Sequence, residues 1–350
     1  MQVVAKISQS ALEHNINYIK SLSPSSKIMS MVKANAYGHQ IEYIEPILSK
    51  SDYLAVSELS EGIELRKLTK KPIVILSGPF NLDDLTLMID NEFQFVIHEM
   101  SQVSLITSSA KDMTVWLKLD SGMHRLGFSI KDFSEVIKTI SRHKNIKIES
   151  LMTHFANADD PQNLKNDEQL NCFKEKVQYL EFQNSLCNSA ALMNNEELHF
   201  DIIRPGIMLY GISPFHQKNE NLKPVMEISA PIMSIRHIKK GESVGYGSTY
   251  TADKDTNIAT IGIGYGDGYP RHAKNGTPIL INGKKYPLAG RVSMDLITVD
   301  ISNDHFQIGE KAILWGNENL PIEQVAEFAD TIGYELTSRL TSRVQFQAAE

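Results

Sequence analysis

The 350-residue chain has only two cysteines, Cys172 and Cys187, too few for the disulfide framework of a secreted scaffold; this predicts a reducing, cytoplasmic setting. It also lacks an excess of positive charge. Against 42 aspartates and glutamates stand 35 lysines and arginines, a formal net charge of −7, so no global cationic field favours nucleic acid. No apolar run reaches the roughly 18 residues that a membrane span needs. The opening MQVVAKISQSALEHNI has neither the apolar stretch nor the small-residue cleavage site of a signal peptide. H-E-x-x-H, C-x-x-C and P-loop patterns are absent, so neither a metal site nor a nucleoside-triphosphate site has support. IGIGYGDG places Gly262, Gly264, Gly266 and Gly268 at alternate positions, yet no window fits G-x-G-x-x-G. The alternation reads as a strand with one bare face. No internal repeat or low-complexity segment is visible.

What is present is enough apolar residue, 42% against 22% charged, to bury a sizeable core. A (β/α)8 barrel takes about 250 residues, which would leave roughly 100 for something else. Over residues 10–220 short apolar runs alternate with helical patterns. The runs are KIMSMVKA, YLAVS, PIVILSG, FQFVIH, TVWLKLD, ESLMTHF, SLCNSA and FDIIRPG. A helix SALEHNINYIKSL, with Ser10 as its N-cap, precedes the first, and NDEQLNCFKEKVQYL lies between the sixth and seventh. Eight strands in strict alternation predict a TIM-like (β/α)8 barrel over 9–222. From 223 to 350 strand patterns follow one another with a single helix, IEQVAEFADTI, near the end, and Asn282–Gly283 marks a two-residue hairpin turn. This predicts a mainly β C-terminal domain, with the first residues, 1–8, as candidates to pack with it.

Barrel enzymes carry their chemistry at the C-terminal ends of the strands. Here Lys33 ends the first, Lys118 and Arg125 lie at and beyond the fifth, and His154 ends the sixth. Asn188 and Ser189 end the seventh, and Arg204 and Gly206 the eighth. A lysine at the end of MSMV is costly to bury as a cation, and a lowered pKa would make its amine a Schiff-base nucleophile. The plainer reading is a lysine snorkelling at the rim. Ser189 with the backbone N–H groups of Gly206 and Ile207 falls where barrels often bind phosphate; a tight Pro–Gly turn is the plainer reading there. Together the two features suggest pyridoxal phosphate or a phosphorylated carbonyl substrate.

The segments MVKANAYGH, KLDSGMHRLGF, THFANAD, NSAA, RPGIMLYG, VGYGSTY, GYGDGYPR and GRVSMD occur in that order across the chain. In this series the sequence resembles the alanine racemases, a family of pyridoxal 5'-phosphate enzymes with an N-terminal barrel and a C-terminal β domain. The resemblance implies that Lys33 carries the cofactor and acts as one of two acid–base groups. It implies phosphate ligands in Tyr37, Ser189, Gly206 and Ile207, with Asn188 beside them. Arg204 corresponds to the partner of the pyridine nitrogen. Because guanidinium only donates, that nitrogen stays an acceptor and the ring a weaker electron sink. Arg125 corresponds to the contact with the cofactor's phenolic oxygen and, with Met294, to the substrate-binding set, Met294 through its backbone with Asp295 beside it. Lys118 matches a lysine that is carbamylated in family members, and Tyr265 an entrance residue.

Racemisation takes a proton from one face of Cα and returns it to the other. The resemblance assigns the second face to Tyr246, supplied by a partner subunit of a homodimer, with a hydrogen-bond chain through His154 to Arg204. On composition alone Tyr246 would be an aromatic packed in a strand. Some positions depart from the family pattern: Ser342 stands where some members have tyrosine, Gln345 where many have proline, and Ser293 where others have cysteine. The expected activity is interconversion of L- and D-alanine for peptidoglycan. Alternatives are a serine-preferring or broader racemase, a non-catalytic pyridoxal-phosphate carrier, and a cofactor-free Schiff-base aldolase. Neither nucleic acid nor membrane is expected as a partner, and no metal.

Overall fold

The alternating apolar runs fold into parallel strands. In the computed structural model, which describes residues 2–215 and 217–350, a first strand β1 (Val4–Ser8) leads into the helix Gln9–Leu22. Eight strands then alternate with helices: β2 (Lys27–Met31), β3 (Tyr53–Val56), β4 (Ile73–Ile75), β5 (Gln94–Ile97), β6 (Met113–Lys118), β7 (Ile146–Met152), β8 (Gln183–Ser185) and β9 (Ile202–Ile203). They pair in parallel in the order β9–β2–β3–β4–β5–β6–β7–β8. The gap between β8 and β9 is bridged by Ser185 Oγ donating to the Ile202 carbonyl at 2.7 Å and by the Arg204 N–H donating to the Cys187 carbonyl at 2.9 Å. The expected eight-stranded barrel is borne out, nearly closed. Its interior is filled, as such barrels are: Met29, Ala55, Val74, Val96, Trp116, Met152 and Ile202 come from seven strands and meet Tyr53 in one buried cluster.

The remaining strands are β10 (Met226–Ile238), β11 (Ser243–Val244), β12 (Tyr250–Thr251), β13 (Thr256–Ile261), β14 (Pro278–Ile281), β15 (Lys284–Pro287), β16 (Ile297–Ser302), β17 (Lys311–Trp315) and β18 (Gln345–Ala349). β11 and β12 pair with each other as a separate two-stranded sheet; the rest form a sheet that β1 joins, antiparallel to β10 and parallel to β18. The Asn282–Gly283 turn closes the β14–β15 hairpin with positive φ at both residues, 46° and 79°, as its two-residue geometry requires. Two compact units result. One comprises the residues up to Asn15, Tyr37–Tyr43 and Tyr210–Glu350; the other Ile16–Ala36 and Ile44–Leu209.

Four local expectations are corrected. Ser8, not Ser10, caps the first helix: its Oγ accepts the Ala11 N–H at 3.1 Å, one residue before the helix starts at Gln9. The seventh barrel strand lies at Gln183–Ser185 and ends on the first residue of SLCNSA, because Asn188 already caps the next helix by accepting the Ala191 N–H. The helix expected over IEQVAEFADTI ends at Phe328, and a second, unexpected helix follows at Gly333–Ser338. The glycine alternation is no bare strand face. β13 ends at Ile261, and a Cβ on Gly264 would meet the Met294 carbonyl oxygen at 2.3 Å. These glycines serve a turn pressed against another backbone.

Candidate active site

Lys33 directly follows β2 and its neighbour Val32. After it Ala34, Asn35, Ala36 and Tyr37 all adopt φ between 51° and 57°. This is a left-handed turn built without glycine, a conformation that costs roughly 1–2 kcal/mol per L-residue. The Ala36 N–H donates to the Val32 carbonyl at 2.9 Å. Burial lowers the pKa of Lys33, the charge of Arg125 lowers it further, and Glu61 opposes both. A lysine so placed is the more easily neutral and nucleophilic.

Four cations converge at this mouth. Lys118 ends β6, and burial together with Arg204 and Arg125 brings its pKa down to about 8. Arg125 rises from the loop after it. That loop is tied at its base by the Phe128 N–H to the Lys118 carbonyl at 2.8 Å, and inside by the Asp120 carboxylate, which accepts the Gly122 and His124 N–H groups at 3.0 Å. Arg204, 4% exposed, donates through Nη1 to Ser185 Oγ at 2.6 Å and through Nη2 to the carbonyls of Thr153 and Leu186. Burial brings it down to about 10, still a cation at neutral pH. His154 lies 3.5 Å from Arg204 Nη2. Burial, and then the charges of Arg204, Lys118, Arg125 and Lys33, hold its imidazole neutral, well below the usual range.

At the next two strand ends, buried Ser189 meets Gly206, whose N–H donates to Ser189 Oγ at 2.9 Å. Ile207 begins the 3-10 turn Ile207–Tyr210. Asn188 faces its own helix as a cap. Tyr37, at the end of the left-handed turn, stacks on Tyr210 with ring centroids 5.2 Å apart and leans on Tyr334 at 6.0 Å. Burial, and then Tyr334, raise its hydroxyl pKa.

The β unit holds the other predicted residues. Tyr246 sits in a 3-10 turn between the two-residue strands β11 and β12, not packed in a strand, and is 72% exposed. Tyr265 and Met294 are locked together: the Tyr265 N–H donates to the Ser293 carbonyl at 3.0 Å and the Gly266 N–H to the Met294 carbonyl at 2.8 Å. Both side chains are exposed, at 40% and 53%. Arg343 bridges this pair of loops, with Asp267 at 3.0 Å and Asp295 at 2.8 Å. Its neighbours Ser342 and Gln345 take no part in that bridge, and Gln345 begins β18.

Residues 7–214 match the alanine racemase N-terminal domain and residues 225–348 the C-terminal domain. The chain belongs to the alanine racemase family. An alanine racemase of Vesicomyosocius okutanii is 53% identical to it over 99% of this chain and 98% of its own length. The solved structure of the biosynthetic alanine racemase of Pseudomonas aeruginosa superposes with a TM-score of 0.96 at 37% identity, covering 100% of both chains. That of Bartonella henselae alanine racemase, with covalently bound pyridoxal phosphate, gives 0.92 at 28% identity, again over 100% of both.

Within this alanine racemase fold, sequence reasoning passed over three site neighbours. Tyr210 is the penultimate residue of the quoted segment RPGIMLYG, so the motif itself contained the signal. Tyr334 lies on the short helix Gly333–Ser338, beyond the one helix that the sequence pattern marks. Glu61 looks like an ordinary helix-start carboxylate and gives its role away only through its partners. Among the described residues no group of three or more His, Cys, Asp or Glu side chains could hold a metal ion, and no helix is long and apolar enough to cross a membrane.

Proposed function

We propose that this chain interconverts L-alanine and D-alanine, supplying the D-isomer for peptidoglycan in the cytoplasm, with pyridoxal phosphate held covalently by Lys33. The observation that carries the reading is the buried amine of Lys33 among Lys118, Arg125 and Arg204, with a neutral His154 beside them. This donor set fits the cofactor. Arg204 is buried, and its described hydrogen bonds go to neutral oxygens and to the neutral His154 ring, so a negatively polarised ring atom is a welcome partner. Ser189 and the N–H groups at Gly206 and Ile207, with Tyr37, are the phosphate ligands; Asn188 serves by capping the helix that carries Ser189.

When bound, pyridoxal phosphate supplies the electron sink that makes the substrate's Cα–H acidic. Lys33, neutral after proton loss, takes or returns the proton on one face of Cα. Tyr246 serves the other face, and an exposed phenol on the β unit is the form in which one subunit offers it to its neighbour. The active unit is therefore a homodimer whose sites are shared. His154, kept neutral, relays between that phenol and Arg204 without adding a charge of its own. Arg125 orients the phenolic oxygen of the cofactor and the substrate carboxylate. The Met294 backbone holds that carboxylate and Tyr265 narrows the entrance, which favours a methyl side chain, although one added hydroxyl is rejected only modestly by an apolar pocket. Lys118, with its pKa near 8, has enough neutral amine to react with carbon dioxide, and the resulting carbamate would brace Arg125.

A coupled racemase assay with L-alanine and L-serine side by side tests the reading. Faster turnover of alanine, together with loss of visible cofactor absorbance and activity in Lys33→Ala, is the expected result. Serine turned over faster would move the assignment to the serine-preferring alternative, and full activity in Lys33→Ala would end it.

A further inference from the structure

The carboxylate of Glu61 is shared between two tasks. Glu61 is the third residue of the helix Leu59–Arg66, and its Oε2 accepts the backbone N–H groups of Ser57 at 2.9 Å and Glu58 at 3.1 Å. With the Glu58 side chain bonding back to the helix, this is a capping box, a local device for starting a helix. Oε1 takes no part in it. It crosses from the β3 loop to the end of β2 and accepts the Ala34 N–H at 2.6 Å.

Ala34 is the residue after Lys33 and the first of the four in the left-handed turn. Such a turn persists only where its surroundings hold it. One end is held by the Ala36-to-Val32 hydrogen bond; the other is held by Glu61, with a charge-assisted bond of the stronger kind. A helix cap needs neither the charge nor the second oxygen, because capping boxes use glutamine as well as glutamate. The acid also brings negative charge to a neighbourhood in which Arg125 bears on the Lys33 amine and Lys118 and Arg204 stand close by.

We propose that Glu61 is a positioning residue for Lys33: its Oε1 pins the first peptide of the left-handed turn, which fixes the direction of the Lys33 side chain, and its charge offsets Arg125. The proposal rests on Lys33 being the cofactor lysine. Glutamine at this position has one carbonyl oxygen to accept with, and its NH2 can only donate. Glu61→Gln therefore keeps either the cap or the Ala34 bond, and it loses the charge in both cases.

The test compares purified holoenzymes of the wild type, Glu61→Gln and Glu58→Ala. Two properties are read: loss of the visible cofactor band after dilution into cofactor-free buffer, and the pH dependence of that band. Thermal unfolding is followed in parallel. Glu61→Gln is expected to release cofactor on the order of tenfold faster and to move the band's pH transition down by up to about one unit, since less negative charge beside a protonated nitrogen weakens its hold on the proton. Glu58→Ala, which loosens the same helix start but leaves Oε1 on Ala34, is expected to behave as the wild type in both. Wild-type release and titration in folded Glu61→Gln would overturn the proposal. So would an equal acceleration in Glu58→Ala, which would make the cap responsible. Borohydride reduction of wild-type holoenzyme and mapping of the labelled lysine tests the premise separately; a label elsewhere than Lys33 refutes the proposed function itself.

Discussion

Nη2 of Arg204 lies 3.5 Å from Nδ1 of His154, and the same nitrogen donates to the carbonyl oxygens of Thr153 and Leu186. A guanidinium has only donors to offer, so Nδ1 faces it as an acceptor, and the ring's proton is assigned to Nε2. The arrangement excludes a second proton. In the unfolded chain a histidine titrates near 6.5, whereas burial and the surrounding cations keep His154 neutral well below that. Between the two values the unfolded state binds the extra proton, so stability rises with pH and is lost as pH falls below about 6.5. The slope for one group is at most about 1.4 kcal/mol per pH unit. Urea unfolding of the wild type at a series of pH values is expected to show this loss, and His154→Asn to show a shallower one. Parallel pH curves for the two proteins would count against a neutral buried His154.

A second buried polar group sits at the opposite side of the barrel from the mouth. Tyr53, the first residue of β3, donates its hydroxyl to Glu149 at 2.6 Å, and Lys147 pairs with the other carboxylate oxygen at 2.6 Å. Burial works against the charge of Glu149, but the bonds from Lys147 and Tyr53 outweigh it and hold the acid below the usual carboxylate range. A carboxylate lowered in this way contributes stability at pH above its ordinary value, and the contribution disappears as pH falls through the folded value. Tyr53→Phe is expected to cost about 1–3 kcal/mol at neutral pH, as a lost buried hydrogen bond does, with more of the cost vanishing in acid. Racemase rate should stay at the wild-type level, because the N-terminal face of such a barrel serves stability. A parallel fall in rate would show that the cluster communicates with the mouth.

Gly264 allows a close backbone approach beside Met294 in the β unit. An added methyl would lie 2.3 Å from the Met294 carbonyl oxygen and 2.4 Å from that of Ser293, and neither is a flexible side chain that could swing away. Gly264→Ala is therefore expected to push the Met294 loop outward. If Met294 holds the substrate carboxylate, displacement of about an ångström lowers kcat/KM by up to roughly 100-fold, with KM carrying part of the change. Steady-state kinetics beside a melting curve decide the matter. A lowered melting temperature with unchanged kinetics would remove Met294 from the substrate site.

The barrel was legible because most of its strands are buried apolar runs bounded by polar helices, a pattern written locally in residues such as Ile73–Ile75 and Gln94–Ile97; polar β8 is the exception. The turn at Asn282–Gly283 was legible for the same reason, since its residues alone dictate positive φ. Less of the β unit could be read. Gly264 alternates like a strand face, and only the distant Met294 backbone makes it a turn. Ser8 and Ser10 are equally good caps until the course of β1 decides where the helix starts. At the site, Lys33, Lys118 and Arg204 were visible as cations directly after apolar runs. Glu61 and Tyr334 act through partners 27 and 297 residues away (61 − 34 and 334 − 37), and no local pattern records such pairings.

Tyr246 and Lys33 belong to separate units of the fold, and that separation offers the sharpest test of a shared active site. Lys33→Ala removes the amine that anchors the cofactor but leaves Tyr246 intact. Tyr246→Phe removes one hydroxyl but leaves the barrel intact, so it should still bind cofactor while racemisation falls by roughly 10²–10⁴-fold, the range for loss of one acid–base group. The loss should be greater for substrate entering from the L side, where this phenol is assigned to take the proton. If each site joins one subunit's barrel to the other's β unit, a mixed dimer has one site with both defects and one with neither. Mixing the two inactive proteins under conditions that exchange subunits should then restore activity toward about one quarter of the wild-type level, since half the dimers are mixed and each has one intact site. Exchange can be followed independently with differently tagged subunits. Recovery absent despite demonstrated exchange would mean that each chain uses its own Tyr246, or none.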